Sequence, residues 1–328
     1  MSALLDSVIC GLPQSSTMST VNNTTSGNES VVFRPSSGYD IPLYGLKNGV
    51  FYYIHGLAIG CLVTSLTCAL LAIVFSLRQN NVRNFFSNWS KSERFIVYMA
   101  TCDGLFNLTH LIDHVHITIV RDYVHPKALC AFYGFNLSFF IAAQQLLVNI
   151  IAINAFMLMF YNRHLNFGAG DWKLFLWTFG APLVGATVAV AFEQYGPLGI
   201  FCFFDGVKGR LGELFFTTVP LLIILPVNCI LYGLTFGKLH VRAKEIQQTL
   251  GPKSTTQRAT YRAARSMSMF WWALALHGAW GQISRPVPNI FFYIVPIFTN
   301  LGGVFTLIVF IVIRRKPANS TGGCTIPS

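Results

Sequence analysis

The chain has 328 residues, 53% of them hydrophobic and only 11% charged, with a mean hydropathy of +0.53. Soluble proteins carry about 25% charged residues, and a soluble chain this apolar would expose more hydrophobic surface than it could cover, so the composition indicates a polytopic membrane protein. The net charge of +11 would suit nucleic acid, but the basic residues lie between apolar runs, where they set topology; nucleic acid is excluded as a partner.

Residues 1–50 are rich in Ser, Thr, Asn and Gly and read as a disordered tail. Asn22, Asn23 and Asn28 each open an Asn-x-Ser/Thr sequon there, the mark of a glycosylated extracellular segment. Met1 to Leu12 lacks the basic start and apolar centre of a signal peptide, so the first span is expected to act as the anchor.

A membrane-crossing helix needs about 20 apolar residues. Seven such runs follow, at about 51–77, 95–119, 128–161, 174–192, 214–236, 267–283 and 290–313, with a short cytoplasmic tail over 314–328. The expected fold is an all-α seven-helix transmembrane bundle, 51–313. With the N-terminus outside, sixteen of the 23 Lys and Arg fall in inner segments and seven in outer ones, which sets the C-terminus in the cytoplasm.

Between spans 1 and 2, Val82, Phe85, Phe86 and Trp89 recur at i, i+3, i+4 and i+7, the pattern of a short amphipathic helix in the membrane interface. Span 2 is the most polar. Asp103, Asn107, His110 and His114 share one helical face, with Asp113 three residues after His110. Ionisable groups at membrane depth face the bundle interior. Asp103 and Asn107 suit either an ion or water network that sets a resting state or a satisfied polar cluster between spans. His110, Asp113 and His114, nearer the outer mouth, suit a polar or cationic ligand group, a pH response, or an internally bonded pair. Two imidazoles on one face also fit a zinc site, which would make the chain a membrane metal enzyme; that reading needs further ligands, and only His277 in span 6 is available at depth. No metal or other cofactor is assigned.

Eight cysteines include no CxxC pair. Cys130 opens span 3 on its outer side and Cys202 lies in the outer loop between spans 4 and 5. Both face an oxidising compartment, so a bridge between them is expected to tie that loop over the bundle mouth; the alternative is two free thiols. Within span 3, Gln145 and Asn149 lie i, i+4 on one face as packing or activation residues, and Asn136, below Cys130, has the depth of a ligand contact. His277 and Trp280 near the outer end of span 6 would face the same cavity. No lysine falls within a span, which excludes a retinal Schiff base. On the inner side, Arg163, Lys238, Arg242, Arg262 and Arg265 form a basic surface for a partner protein or for lipid headgroups.

Seven spans, an outer N-terminus, a span 3-to-loop bridge and a basic third inner loop together resemble a G-protein-coupled receptor. Span 3 ends in Phe160-Tyr161-Asn162-Arg163-His164, without the rhodopsin-like Asp/Glu-Arg-Tyr, and span 7 lacks Asn-Pro-x-x-Tyr. The chain is more similar to the cyclic-AMP-receptor-like and fungal glucose-receptor-like branch. Cys130-Ala-Phe-Tyr-Gly-Phe135 resembles that branch's start of span 3, and Tyr195-Gly-Pro-Leu-Gly-Ile-Phe-Cys202-Phe-Phe its loop motif. Ala279-Trp280-Gly-Gln-Ile-Ser-Arg285 resembles the end of span 6, and Asn300-Leu-Gly-Gly-Val-Phe305 a span 7 pattern. The likeness covers about residues 50–316. Phe201 and Phe203 replace the branch's tryptophans, so ligand identity does not transfer. The resemblance implies a plasma-membrane receptor, not an enzyme, that binds an extracellular ligand and activates a heterotrimeric G protein, with a link to cyclic-AMP signalling. It implies Phe203 as a further ligand contact and Asn300 as a member of the activation network. A metal-dependent enzyme built on His110, Asp113 and His114, or a transporter, is the alternative; no inverted repeat or broken pair of short spans supports transport.

Overall fold

A computed structural model describes residues 35–47, 49–79, 82–250 and 300–314. Helix α1 runs Val50–Gln79, α2 Lys91–Val120 and α3 Lys127–Tyr161. Their ends follow local chemistry. Ser90 caps α2 by accepting from the Glu93 amide, while the Glu93 carboxylate accepts from the Ser90 amide, a reciprocal box that takes Lys91, Glu93 and Arg94 into the helix. Helix α3 ends at Asn162, left-handed at φ 53°, a conformation asparagine tolerates.

Helix α4 opens at Ala169–Asp171, runs through Trp172–Phe175, and passes a π turn at Leu176–Gly180 into Ala181–Ala191. Helix α5 repeats the device, with Arg210–Glu213, a π turn at Leu214–Thr218, then Val219–Leu250. Each π turn ends two residues before a proline, Pro182 and Pro220. A proline cannot donate the regular helical bond, and a wider turn absorbs the missing register. Helix α6 covers Gly302–Arg314.

Five helices, over Val50–Arg78, Lys91–Val120, Lys127–Tyr161, Ala169–Ala191 and Arg210–Lys238, are long and apolar enough to cross a membrane; Gly302–Ile311 is a shorter apolar stretch. These coincide with predicted spans 1–5 and the end of span 7. Predicted span 6 and residues 290–299 lie outside the described residues. Apolar side chains such as Leu222, Ile223 and Ile230 of α5 point outward, which suits a surface covered by lipid.

Helix α3 is the hub. It packs on α2, α4 and α5, while α1 packs on α2 and α6 lies against both α1 and α2. One apolar core joins Phe95 and Met99 of α2, Leu147 and Val148 of α3, Leu174 of α4 and Leu221 and Tyr232 of α5. A second gathers Phe106, Leu137, Ala189, Tyr195, Phe203 and Phe204 beneath a hairpin. That hairpin pairs β1, Tyr195–Pro197, antiparallel with β2, Cys202–Phe204, in the register Tyr195 to Phe204 and Pro197 to Cys202. It sits directly on α3 at Gly134, where any Cβ would run into the Phe203 carbonyl.

Two expectations are corrected here. Residues 82–89 form a single 3-10 turn, Val82–Asn84, and further turns, not an amphipathic helix. The reason is Trp89, which is buried under Phe85 instead of lying along an interface. The tail is also not disordered up to residue 50. Gly38–Asp40 forms a 3-10 turn capped by Ser37, and the Asp205 carboxylate accepts from the Gly38 amide at 2.8 Å and the Ser37 hydroxyl at 3.0 Å. Tyr39 donates to the Val124 carbonyl and Tyr123 to that of Ile41. The segment 35–47 is therefore strapped across the hairpin end of the bundle.

Candidate functional site

At the hairpin end, α1 and α2 bring three buried histidines into one chain. His110 Nε2 and His114 Nε2 are 2.7 Å apart, and His114 Nδ1 and His55 Nδ1 are 2.8 Å apart. His114 thus uses both ring nitrogens, reaching His110 one turn below on its own helix and His55 across the α1–α2 contact. The His110 and His114 rings stack with centroids 4.6 Å apart, and Phe51 lies 4.3 Å from the His55 ring. Above them Phe201, the residue before β2, has its ring 4.8 Å from His110 and 5.9 Å from His114.

Asp113 faces the hairpin. Its Oδ2 accepts from the Cys202 amide at 2.9 Å, and its Oδ1 is buried with no partner among the described residues. Cys202 is joined to Cys130 by a disulfide. The hairpin is therefore held to α3 covalently, to α2 through a carboxylate, and to the histidine chain through Phe201. Around it, burial and then the negative charges of Asp205 and Asp113 push the Tyr39 phenol up to about 12, and burial pushes Tyr195 up to about 12. Burial disfavours the charged Asp205 carboxyl, but bonds from the Lys208, Val207 and Gly38 amides and the Ser37 hydroxyl outweigh it and hold the group below the ordinary carboxylate range.

Deeper in the bundle a second polar cluster joins three helices. Asp103 Oδ2 accepts from the Thr306 hydroxyl of α6 at 2.6 Å. Asn107 donates to Ser65 Oγ of α1, which also accepts from the Gly303 amide, both at 2.9 Å. Asn300 is buried at the start of this α6 region. Gln145 and Asn149 are not joined to this cluster by any hydrogen bond among the described residues. Asn149 donates to Asn228 of α5 at 2.9 Å, and Gln145 is buried on α3.

The remaining site residues separate. Asn136 donates to the Phe132 carbonyl of its own helix, so its amide is engaged locally. Phe203 is buried in the core beneath the hairpin. At the opposite end of the bundle Arg163 is exposed, and the Lys238 ammonium lies 5.6 Å from the Phe160 ring centroid. Arg242 lies on α5, and its side chain is not described. His277, Trp280, Arg262, Arg265 and the sequons at Asn22, Asn23 and Asn28 lie outside the described residues.

Four features escaped the sequence reading. His55 is an ionisable residue inside an apolar run, a signal that marks a functional candidate by default. Ser65 and Thr306 carried no such signal, because hydroxyls are ordinary in membrane helices. Arg94 counts among the topological charges, yet it is buried in a two-pronged ion pair with Asp171, Nε to Oδ2 at 2.7 Å and Nη2 to Oδ1 at 3.1 Å. Tyr98 also donates to Asp171 Oδ2, and Arg94 Nη1 to the Trp89 carbonyl, each at 2.8 Å. Among the described residues no group of three His, Cys, Asp or Glu is disposed to hold a metal ion. Comparison with protein-family models and with curated proteins found no match for this chain.

Proposed function

We propose that this chain is a seven-helix receptor of the plasma membrane that takes an extracellular ligand at the hairpin end and activates a heterotrimeric G protein at the other. The observation that carries the reading is the tethered hairpin seated on a buried polar shaft. The Cys130–Cys202 bond fixes the lid to α3, while Phe201 and the Cys202 amide rest on His110, His114 and Asp113. A ligand that engages these groups competes with the lid for the same partners. Its binding energy then favours one of two bundle arrangements.

The second cluster fits the relay this needs. Asp103 and Asn107 connect α2 to α1 and α6 through Thr306 and Ser65, and a buried network that joins three helices couples their positions. Inward, the basic residues Arg163, Lys238, Arg242, Arg262 and Arg265 supply the surface for the G protein. The sixteen-to-seven charge excess supports a cytoplasmic placement of that end, and the motif likeness around Cys130, Cys202 and Asn300 supports the same reading.

The test is guanine-nucleotide exchange. The full chain is reconstituted with a heterotrimeric G protein in lipid vesicles, and basal exchange is compared with empty vesicles and with an Arg163→Glu, Arg242→Glu variant. Exchange above the empty control that the variant reduces supports the reading. Exchange equal to the empty control, together with no co-purification of nucleotide-free G protein, overturns it.

A further inference from the structure

We propose that the Asp113 carboxylate is the anchor for an amine: the extracellular ligand of this chain carries a primary or secondary ammonium group that docks on Oδ1 beneath the hairpin. Asp113 is fully buried, and only one of its two oxygens is used. Oδ2 accepts from the Cys202 amide at 2.9 Å, while Oδ1 has no hydrogen-bond partner among the described residues. Nor does Asp113 form an ion pair among those residues. A carboxylate buried with half of its acceptor capacity idle and no counter-charge is costly, and a ligand that supplies both would recover that cost.

The chemistry of the occupant follows from what the oxygen lacks. Protonation does not remove the deficit, because an O–H on Oδ1 would be a buried donor with no acceptor. A water satisfies the hydrogen bond and leaves the charge. A metal ion asks for several hard oxygens, and no group of three candidate ligands stands among the described residues. An ammonium brings the N–H donor and the positive charge in one group. The surroundings suit it. Phe51, Tyr133 and Phe201 belong to the apolar cluster that contains Cys130 and Cys202, and aromatic rings stabilise a cation that has left water. A second orphaned atom lies at the same end. His55 Nε2 is buried without a partner among the described residues, on a ring whose centroid is 4.3 Å from that of Phe51, so a ligand there meets a second polar contact on α1.

Ligand and lid draw on the same negative charge. A cation on Oδ1 weakens the bond that Oδ2 makes to the Cys202 amide, which is how occupancy competes with the seated hairpin. The double requirement also sets the selectivity. A quaternary ammonium has the charge without an N–H, and a diol has donors without the charge, so each meets half of what Asp113 lacks. This assignment names the ligand class of the site already proposed, and its signalling consequence rests on that reading.

The experiment is ethanolamine binding to the full chain in phosphatidylcholine nanodiscs, read by saturation-transfer NMR against empty nanodiscs and by the thermal midpoint of the protein. A hydrogen bond to a charged group contributes roughly ten- to hundredfold in affinity. Ethanolamine is expected to bind saturably and to raise the midpoint, with ethylene glycol and choline each weaker by about tenfold or more. Asp113→Asn should weaken ethanolamine by a similar factor and erase the preference among the three; the preference in wild type carries the test if that variant does not fold. Absence of saturable ethanolamine binding overturns the proposal. So does ethylene glycol binding as well as ethanolamine, which would give Oδ1 to a neutral donor, or choline binding as well, which would leave the aromatic rings alone as the site. Wild-type affinity in folded Asp113→Asn overturns it too, by placing the amine elsewhere. Nucleotide exchange on the G protein is followed in parallel. Selective amine binding with a silent G protein sinks the receptor reading and keeps the amine site; loss of the selectivity sinks the amine site whatever the G protein does.

Discussion

The amide of Cys202 donates to the carboxylate of Asp113 across 2.9 Å, while the sulfur of the same cysteine is bonded to Cys130. One residue therefore fixes the hairpin to two helices by two different bonds. The covalent one limits how far the lid can travel; the carboxylate decides whether it is seated.

Removing the covalent bond tests the first role. The two cysteines are 72 residues apart in sequence, and closing a loop of that size is worth on the order of 2–4 kcal/mol. Cys202→Ser should lower the thermal midpoint and surface expression, because the loop is then held only by non-covalent contacts, among them the amide bond to Asp113 and the packing of Phe203 and Phe204. A non-reduced peptide map of the native protein should show residues 130 and 202 in one cross-linked fragment; two free thiols would refute the pairing.

Removing the carboxylate tests the second. Asp113→Ala strips the acceptor from a buried amide, a change that costs about 1–3 kcal/mol. Asp113→Asn keeps an acceptor of the same shape and should cost less. Amide exchange at Cys202 should rise in the order wild type, Asn, Ala. Equal rates in all three would show that the hairpin does not depend on this bond.

The Arg94–Asp171 pair is a structural lock at the opposite end of the bundle. Breaking a buried ion pair from one side strands the other charge and costs about 3–5 kcal/mol. Arg94→Met alone and Asp171→Leu alone should each destabilise the chain by that order, and the double variant should recover a large part of the loss. Tyr98→Phe removes one donor to Asp171 and should cost about 1 kcal/mol. Additive single losses in thermal unfolding would show that the pair is not coupled.

Asp205 anchors the strap, and its carboxyl titrates below the ordinary range. A carboxyl whose titration is depressed in the folded state contributes above its unfolded value and loses that contribution as pH falls through the folded one. Docking of residues 35–47 should hold from neutral pH down to about pH 4 and weaken below it. Asp205→Ala should expose the strap to limited proteolysis already at pH 7. An intact strap in that variant would contradict the anchoring role.

Asp103→Asn addresses the deep cluster. Asparagine keeps an oxygen for the Thr306 hydroxyl and removes the charge, so the chain should fold; on the proposed receptor reading, basal nucleotide exchange should shift by severalfold, about 1 kcal/mol in a two-state balance. Unchanged exchange at matched surface expression would make the Asp103–Thr306 bond a packing contact only.

Much of the architecture was legible in the chain itself. Apolar run length marks the helices over 50–79, 91–120, 127–161, 169–191 and 210–238, because hydrocarbon forces every backbone group into its own helix. The outer placement expected of both Cys130 and Cys202, with the loop motif around Cys202, pointed to the bridge that the structure contains. The capping box at Ser90–Glu93 and the prolines at 182 and 220 are local signals whose consequences are local.

What tertiary structure decided is partnership across helices. Sequence spacing set His110 and His114 on one face, but only the α1–α2 crossing brought His55 to His114. Asp113 looked like a partner for His110 three residues earlier, yet the hairpin amide of Cys202 takes its carboxylate. Arg94 read as one more topological charge until the opening turn of α4 delivered Asp171 to it. Residues 35–47 read as tail because nothing in their composition shows that Asp205, far along the chain, supplies the acceptor for Gly38. Spacing along a helix is fixed by its 3.6-residue turn; which helix faces which is fixed by packing, where a polar group buried on one element must find its partner on another.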